Sequence, residues 1–347
     1  PVPWTSSRLD TFYLVEERSL KVVEYNAETP AGIGYGDELS FAFNELGPVK
    51  RMQKHFHMNA MPSQHSLHYA LLEAYKIWGG TEEPQIAILD WRDVPTLNEH
   101  EITRQFFEAN GTQAILADPH ELDYRAGHLW KGDFRIDIIY KRVLYNELVE
   151  LLGTDNAVIN AIRDHAVCIT NSPSAKLMAK KASLAFLSDV ENHHLFTAAQ
   201  LGAIEAHIPW TRVVEERKTR YQGKEVDLID FVSVNKERFV IKPNDEYGGK
   251  GVTLGWECSD DGWTAALHQA MESPFVVQEK VKTVQRDFPS WVNGQLNISP
   301  RYVDADPYVF NGQSVSGCLT RLSPLALLNV TAGGGSVVPT YVLNKRD

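Results

Sequence analysis

The chain has 347 residues, of which 43% are hydrophobic, 10% aromatic and 23% charged. That is enough for a sizeable core shared by two or three packed subdomains, and it excludes a disordered or fibrous protein. A formal net charge of -11 excludes the net basic face of a duplex nucleic-acid binder, though not a small anionic ligand held by a few local lysines and arginines.

Cys168, Cys258 and Cys318 are odd in number and widely spaced, so neither a disulfide framework nor a cysteine zinc site is readable. No apolar run approaches the roughly 18 residues of a membrane span, and no signal-peptide pattern opens the chain. A soluble protein of the reducing cytoplasm is expected, with no membrane and no nucleic-acid partner. The start at Pro1 without Met points to residues upstream.

In chain order, the opening reads as two strands, Thr11 to Val15 and Lys21 to Tyr25, joined by Glu16-Glu17-Arg18-Ser19. After Thr29-Pro30-Ala31-Gly32 a helical region carries Leu39, Phe41, Phe43 and Leu46. From Gln85 the pattern alternates: strand Ile86 to Leu89, helix Glu99 to Ala109, strand Ala114 to Leu116, short strands near Leu122 and His128, and strand Ile136 to Tyr140. This alternation predicts a small α/β unit with a largely parallel sheet. A helix from near Ser174 carries Leu177, Ala182, Leu184 and Phe186, and another covers Leu228 to Val232. Six further strands are predicted: Phe239 to Lys242, Thr253 to Trp256, Phe275 to Gln278, Tyr302 to Phe310, Ser316 to Arg321 and Val337 to Leu343. No repeat or low-complexity linker separates the parts, and boundaries fall near residues 82 and 170.

Several segments carry chemistry. Phe239-Val240-Ile241-Lys242-Pro243 followed by Glu246-Tyr247-Gly248-Gly249-Lys250-Gly251-Val252 is a buried strand ending in lysine, then a glycine-rich loop, then a strand. Glycines let backbone N–H groups approach phosphate oxygens, and Lys242 adds a compact charge. The spacing is not that of a Walker A loop, and the same residues also describe a tight hairpin with a solvated lysine. Pro274 to Val281 is an apolar strand with a polar end; Glu279 to Val281 could offer backbone groups to an adenine edge, with Gln278 or Glu279 turned toward ribose, or the strand simply ends at the surface.

At the start of the chain stand Arg8-x-Asp10 and Glu24-x-Asn26. Residues two apart in a strand share a face, and oxygen ligands from Asp, Glu and Asn suit Mg2+ completed by phosphates and water. Near the end, Leu319-Thr320-Arg321 precedes Asn329-Val330-Thr331-Ala332-Gly333-Gly334-Gly335-Ser336, where triple glycine marks either a loop that a ligand approaches or a flexible turn.

Together these segments resemble the circularly permuted ATP-grasp ligases, in particular the glutathionylspermidine synthase-like branch, over most of the chain. Arg8-Leu9-Asp10 and Glu24-Tyr25-Asn26-Ala27-Glu28-Thr29-Pro30 are similar to the family's R-x-D and E-Y-N-A-D-T-P stretches, with Glu28 in place of Asp. The resemblance implies Mg2+ on Asp10, Glu24 and Asn26, and Arg8 at the phosphoryl group. Ala179 to Leu187 resembles the helix whose lysine binds ATP, which implies Lys181 rather than Lys180; Lys242 matches the second nucleotide lysine. Gly248, Gly249 and Gly251 would then cover the phosphates, Gln278, Glu279 and Val281 would face the nucleoside, and Arg321 would steady an acyl phosphate.

The implied fold is α/β (α+β): a circularly permuted ATP-grasp fold with a small parallel-sheet pre-ATP-grasp domain. Residues 1–82 would form the permuted part of the catalytic domain, 83–169 the pre-ATP-grasp domain, and 170–347 the nucleotide-binding remainder. The implied activity is ATP- and Mg2+-dependent joining of a small-molecule carboxylate to an amine through an acyl phosphate, which requires no nucleophilic side chain. The long substrate-binding portion is not recognisably that of glutathionylspermidine synthases, so neither substrate nor oligomeric state is specified. A phosphotransferase and a non-catalytic nucleotide-binding module are the competing readings.

Two expectations follow for the fold. Asp10 and Glu24 can share a ligand only if they face one side of the hairpin, yet a regular four-residue turn would pair Thr11 with Glu24 and turn Asp10 away; a bulge or odd-length turn is required. The N-terminal hairpin must also join the sheet around Tyr302 to Arg321. Elsewhere, His55-x-His57 and His193-His194 lack matching carboxylates or cysteines for a metal site, and Trp4 and Trp210 read as packing residues. Asp304-Ala305-Asp306 reads either as a solvated strand edge or as a holder for a substrate amine.

Overall fold

The structure is a computed structural model that describes residues 4–328 and 335–346. Most of the glycine-rich segment from Asn329, through Gly334, lies outside the described residues.

The N-terminal hairpin comprises Ser6–Leu14 and Ser19–Asn26 around a turn over residues 15–18. Its register carries the required irregularity: Asp10 lies opposite Glu24 but Thr11 lies opposite Val22, so Val23 is an extra residue and the pairing shifts between Asp10 and Thr11. A bulge of this kind restores Asp10 and Glu24 to one face.

The hairpin enters the main sheet through its first strand, where Ser6, Ser7 and Arg8 pair antiparallel with Phe310, Val309 and Tyr308. The sheet runs Gln285–Val292, Gln295–Val303, Ser314–Ser323, Asp306–Phe310, Ser6–Leu14, Ser19–Asn26, and Ser336–Val338 adds to Ser314–Ser323. The two ends of the chain thus share one sheet, as a permuted order demands, with the Glu24-x-Asn26 strand at its edge.

Two predicted strands divide. Tyr302 to Phe310 is broken at Asp304-Ala305, because Asp304 turns to Arg321 and Ala305 N–H donates to Thr11 O. Val337 to Leu343 becomes Ser336–Val338 and Val342–Lys345, with Pro339 in the gap, where a missing N–H ends pairing. Val342–Lys345 instead pairs with Phe56–Asn59, a strand inside the region read as helical, which otherwise forms helices Ile33–Asn44, Gly47–Met52 and Gln64–Trp78.

A small sheet, ordered Cys168–Thr170, Ile138–Lys141, Ile86–Leu89, Ala114–Ala117, is parallel throughout. Ile86, Ala87, Ile88 and Leu89 are all buried, the continuous apolar run of a strand covered on both faces. A third sheet, Thr211–Val213, Phe275–Glu279, Phe239–Pro243 and Thr253–Leu254, is antiparallel and packs on helices Leu228–Val234 and Asp260–Glu272 through Trp263, Leu267 and Phe239.

One core joins the parts. Leu67, Leu71 and Tyr75 of helix Gln64–Trp78 pack between Ile86 and Ile138 of the parallel sheet and Tyr308, Phe310 and Leu319 of the main sheet. No helix among the described residues is long and apolar enough to cross a membrane.

Candidate active site

The main sheet, the third sheet and the carboxyl ends of the parallel strands enclose a cavity of about 800 Å³. Arg8, Asp10, Glu24, Asn26, Lys181, Lys242, Gly248, Gly249, Gln278, Glu279, Val281 and Arg321 all line it. Gly251 stands behind that lining: its φ is +71° and a Cβ there would lie 2.7 Å from Pro243 Cγ.

One wall is a buried charge cluster. Arg8 grips Asp10 with two bonds, Nε to Oδ1 at 2.7 Å and Nη2 to Oδ2 at 3.1 Å. Arg321 Nη2 reaches the same Asp10 Oδ2 at 2.8 Å, while its Nε and backbone N–H both reach Asp304 at 2.7 Å. Asp306 Oδ2 lies 2.9 Å from Arg321 Nη2 and its Oδ1 accepts the Thr11 N–H. Burial pushes the Asp10 carboxyl up, but the charges and hydrogen bonds of Arg8 and Arg321 reverse this and hold it at about 2. For Asp306, burial and the nearby Asp10 carboxylate prevail over Arg321 and push the pKa well above the carboxylate range. The solvated-edge reading of Asp304 and Asp306 is therefore corrected: they are 2% and 0% exposed and serve as a seat for Arg321. Charges at this depth are tolerated only when paired.

Another part of the lining presents two lysines. Lys242 Nζ donates to Val23 O at 3.0 Å and to Gln278 Oε1 at 2.7 Å. The bulge that realigns Asp10 with Glu24 thus also turns out the carbonyl that receives Lys242. Burial first, and Lys181 second, lower the Lys242 pKa to about 8 against the Glu24 and Asp10 carboxylates. Lys181 Nζ lies 2.9 Å from Glu24 Oε1 and donates to Glu246 O at 2.6 Å. It stands at the junction of two short helices, Ala175–Ala179 and Ala182–Ser188, where the sequence suggests a single one.

Gln278 lies in strand Phe275–Glu279 and lines the cavity beside Lys242. Its amide joins Lys242 to Thr211 Oγ1, with Nε2 donating at 3.1 Å, because strand alternation places it on the Lys242 side. Glu279 projects the other way and accepts from Tyr221 O–H. Gly248 and Gly249 lie in a loop at φ of 66° and 75°, and a Cβ on Gly249 would lie 2.9 Å from Leu327. Lys250 is solvent-exposed, 3.6 Å from Glu246.

Some lining residues had no reading in the sequence. Val240, Leu254, Trp256 and Leu327 give the cavity an apolar end, and Lys280 Nζ sits 4.1 Å from the Trp256 ring centroid. Leu254 and Trp256 lie within the predicted strand Thr253 to Trp256, which was the available signal. Trp4 packs over Gly312, and Trp210 lies among Tyr221, Phe239 and Arg212. His57 pairs in register with Asn344, away from the cavity lining.

Carboxylate and amide oxygens of Asp10, Glu24 and Asn26 form a hard donor set, without imidazole or thiolate, and so fit Mg2+ in chemistry. Among the described residues no group of three His, Cys, Asp or Glu could hold a metal ion. Asp10 has both oxygens engaged, Oδ1 also accepting Asn26 Nδ2 at 2.8 Å; it can serve a metal only by yielding a guanidinium.

Residues 14–323 match the family described as circularly permuted ATP-grasp type 2. The chain is 25% identical over 334 residues to a Frankia alni protein named "Putative glutamate--cysteine ligase 2-3", covering 91% of this chain and 36% of that protein. It is 24% identical over 334 residues, with the same coverage, to "Putative glutamate--cysteine ligase 2-2" of Frankia casuarinae. The chain therefore spans about a third of the length of these relatives. Among solved structures, a glutathione synthetase-like effector of Globodera pallida shares the fold, with a TM-score of 0.55, 12% identity, and coverage of 97% of this chain and 76% of that one. With the family match running from the end of the hairpin's first strand through Glu24, Asn26, both lysines and Arg321, this chain belongs to the circularly permuted ATP-grasp type 2 family.

Proposed function

We propose that the chain is the catalytic unit of an ATP-dependent carboxylate–amine ligase that works through an acyl phosphate. The observation that carries this is the contact of Lys242 Nζ with Val23 O, which sets the lysine wall against the Glu24, Asn26 and Arg321 wall in one cavity. The family supports the use of ATP, and the relatives' names support joining an amino-acid carboxylate to an amine.

In this reading Lys181, Lys242 and the backbone of the Gly248–Gly251 loop hold the nucleotide phosphates, and the apolar end near Leu254 and Trp256 takes the base beside Glu279 to Val281. Arg321 and Arg8 face the transferring phosphoryl group. Asp304 and Asp306 fix the Arg321 guanidinium, which stays seated when Asp10 turns to a metal, so that little reorganisation is needed as charge develops. Asp10, Glu24 and Asn26 would hold Mg2+, whose chemistry is to neutralise phosphate charge. A substrate carboxylate oxygen attacks the γ-phosphorus and ADP leaves. The amine nitrogen then attacks the acyl carbon, the C–N bond forms, and phosphate departs as the nitrogen gives up its proton. The proposed division of labour is residues 1–82 and 170–347 for catalysis and 83–169 for substrate binding, in a cytoplasmic setting where ATP is available and thiols remain reduced.

The test is a screen of amino acids and polyamines, singly and in pairs, for stimulated release of ADP and phosphate. Substrate-dependent ADP with equimolar free phosphate is the expected result. ADP without free phosphate would make the chain a phosphotransferase, and no release with any pair would leave a binding module.

A further inference from the structure

The cavity extends past the phosphate-facing residues to the carboxyl edge of the parallel sheet, where Asp90, Trp91, Glu99, Arg142 and Glu147 line it. This end has a topological cause. From Ile86–Leu89 the chain leaves through helix Leu97–Ala109 to Ala114–Ala117 on one side. From Ile138–Lys141 it leaves through helices Tyr145–Leu152 and Ala157–Arg163 to Cys168–Thr170 on the other. Connections that part in opposite directions open a crevice at the strand ends, the usual ligand position in open α/β sheets. Asp90 and Arg142 are the first residues beyond those two strands, and Glu99 and Glu147 lie in the first turns of the helices that follow.

Most polar atoms here are engaged. Asp90 accepts from Trp91 N–H at 2.9 Å and contacts His100 Nε2 at 2.8 Å. Glu147 Oε2 accepts from Trp91 Nε1 at 3.1 Å, and Arg142 Nη1 donates to Pro30 O at 2.6 Å. Glu99 differs. Its Oε1 accepts the N–H groups of Gly32 at 2.7 Å and Gly34 at 3.3 Å, but its buried Oε2 has no hydrogen-bond partner among the described residues, although the residue is only 4% exposed. A buried carboxylate oxygen without a donor is costly and calls for one. Three carboxylates, Asp90, Glu99 and Glu147, line this end with one guanidinium, Arg142, whose charge acts on Glu99 and Asp90, so the missing donor is best supplied by a cation. Trp91 adds an aromatic face suited to the same charge.

We infer that this end of the cavity is the subsite for an ammonium group on a small substrate, and that Glu99 Oε2 receives it. The ligase reading enters only in identifying that substrate as the amine or amino acid to be joined. Glu99 then determines which substrates enter, whereas the residues around Lys242 and Arg321 act on phosphate.

Calorimetric titration of the full chain with 1,4-diaminobutane and glycinamide, against the neutral 1,4-butanediol and glycolamide and the anion acetate, tests this. The two cations should bind, the neutral and anionic compounds should bind more weakly, and Glu99→Gln should reduce cation affinity by about tenfold or more. Equal binding of the neutral compounds, no binding of either cation, or undiminished cation affinity in Glu99→Gln would overturn the inference. If Glu99→Gln does not fold, as judged by circular dichroism, Glu147→Gln is judged by the same criterion. A non-hydrolysable ATP analogue with Mg2+, titrated into the wild type, separates the two readings: cation binding without nucleotide binding would reject the ligase and keep the subsite.

Discussion

Lys242 and Lys250 belong to one strand-and-loop segment and have opposite surroundings. Lys242 is fixed by Val23 O and Gln278, whereas Lys250 is exposed beside Glu246. Lys242→Ala should therefore weaken binding of an ATP analogue by about tenfold or more, and Lys250→Ala by less than about threefold, in the same titration. The reverse order would move the phosphate contact into the loop. The pKa of Lys242, lowered to about 8 chiefly by burial, adds a pH signature. A polyphosphate favours the charged ammonium, so above that pH binding must take up a proton. Affinity should fall as pH rises from about 7 to about 9.5, and Lys242→Ala should flatten this slope. Glu24 and Asn26 sit at the cavity surface, so replacing either with Ala should cut turnover by about 100-fold or more while leaving the unfolding midpoint near that of the wild type. Full activity in both variants would remove the Mg2+ assignment.

The decisive element is the N-terminal hairpin, whose bulge at Val23 sets the face of Asp10 and Glu24 and supplies the carbonyl for Lys242. The need for that irregularity was legible from strand alternation alone. The long hairpin Gln285–Val292 and Gln295–Val303 was not read, although its Asn293-Gly294 turn, at φ of 50° and 76°, is a strong hairpin signal; its strands are polar on one face and exposed, so apolar patterning was weak. In the loop proposed to cover the phosphates, Gly251 has φ +71° and a Cβ would meet Pro243, whereas Gly223, at φ +79°, faces open space. Gly251→Val should cost about 1–3 kcal/mol in urea unfolding and weaken nucleotide binding. Gly223→Asn should cost well under about 1 kcal/mol, since Asn tolerates this conformation. Equal losses would dismiss the close approach at Gly251.

Across the whole molecule, the core of helix Gln64–Trp78 joins the parallel sheet to the main sheet, with Leu71 fully buried among residues from both. Leu71→Ala should destabilise by about 2–5 kcal/mol, and urea unfolding followed by tryptophan fluorescence and by circular dichroism should shift together. A shift confined to one probe would mean that the sheets unfold separately. The same connectivity explains the permutation: Lys242 and Val23 are 219 positions apart yet in contact, because the first strand of the chain pairs with Asp306–Phe310 near its end.

By itself the sequence determined the parallel alternation from Ile86, the lysine strand and its glycine loop, and the Arg-x-Asp and Glu-x-Asn pairs, because period, backbone freedom and residue chemistry are local properties. It also carried the resemblance that the family match bears out. Only the tertiary structure decided that Asp304 and Asp306 are buried under Arg321, that Gln278 serves Lys242, and that one Glu99 oxygen has no partner among the described residues. Each depends on desolvation by segments far away in the chain. Residue type gives the cost of burying a charge, but only the fold specifies which charges are buried and what they meet there.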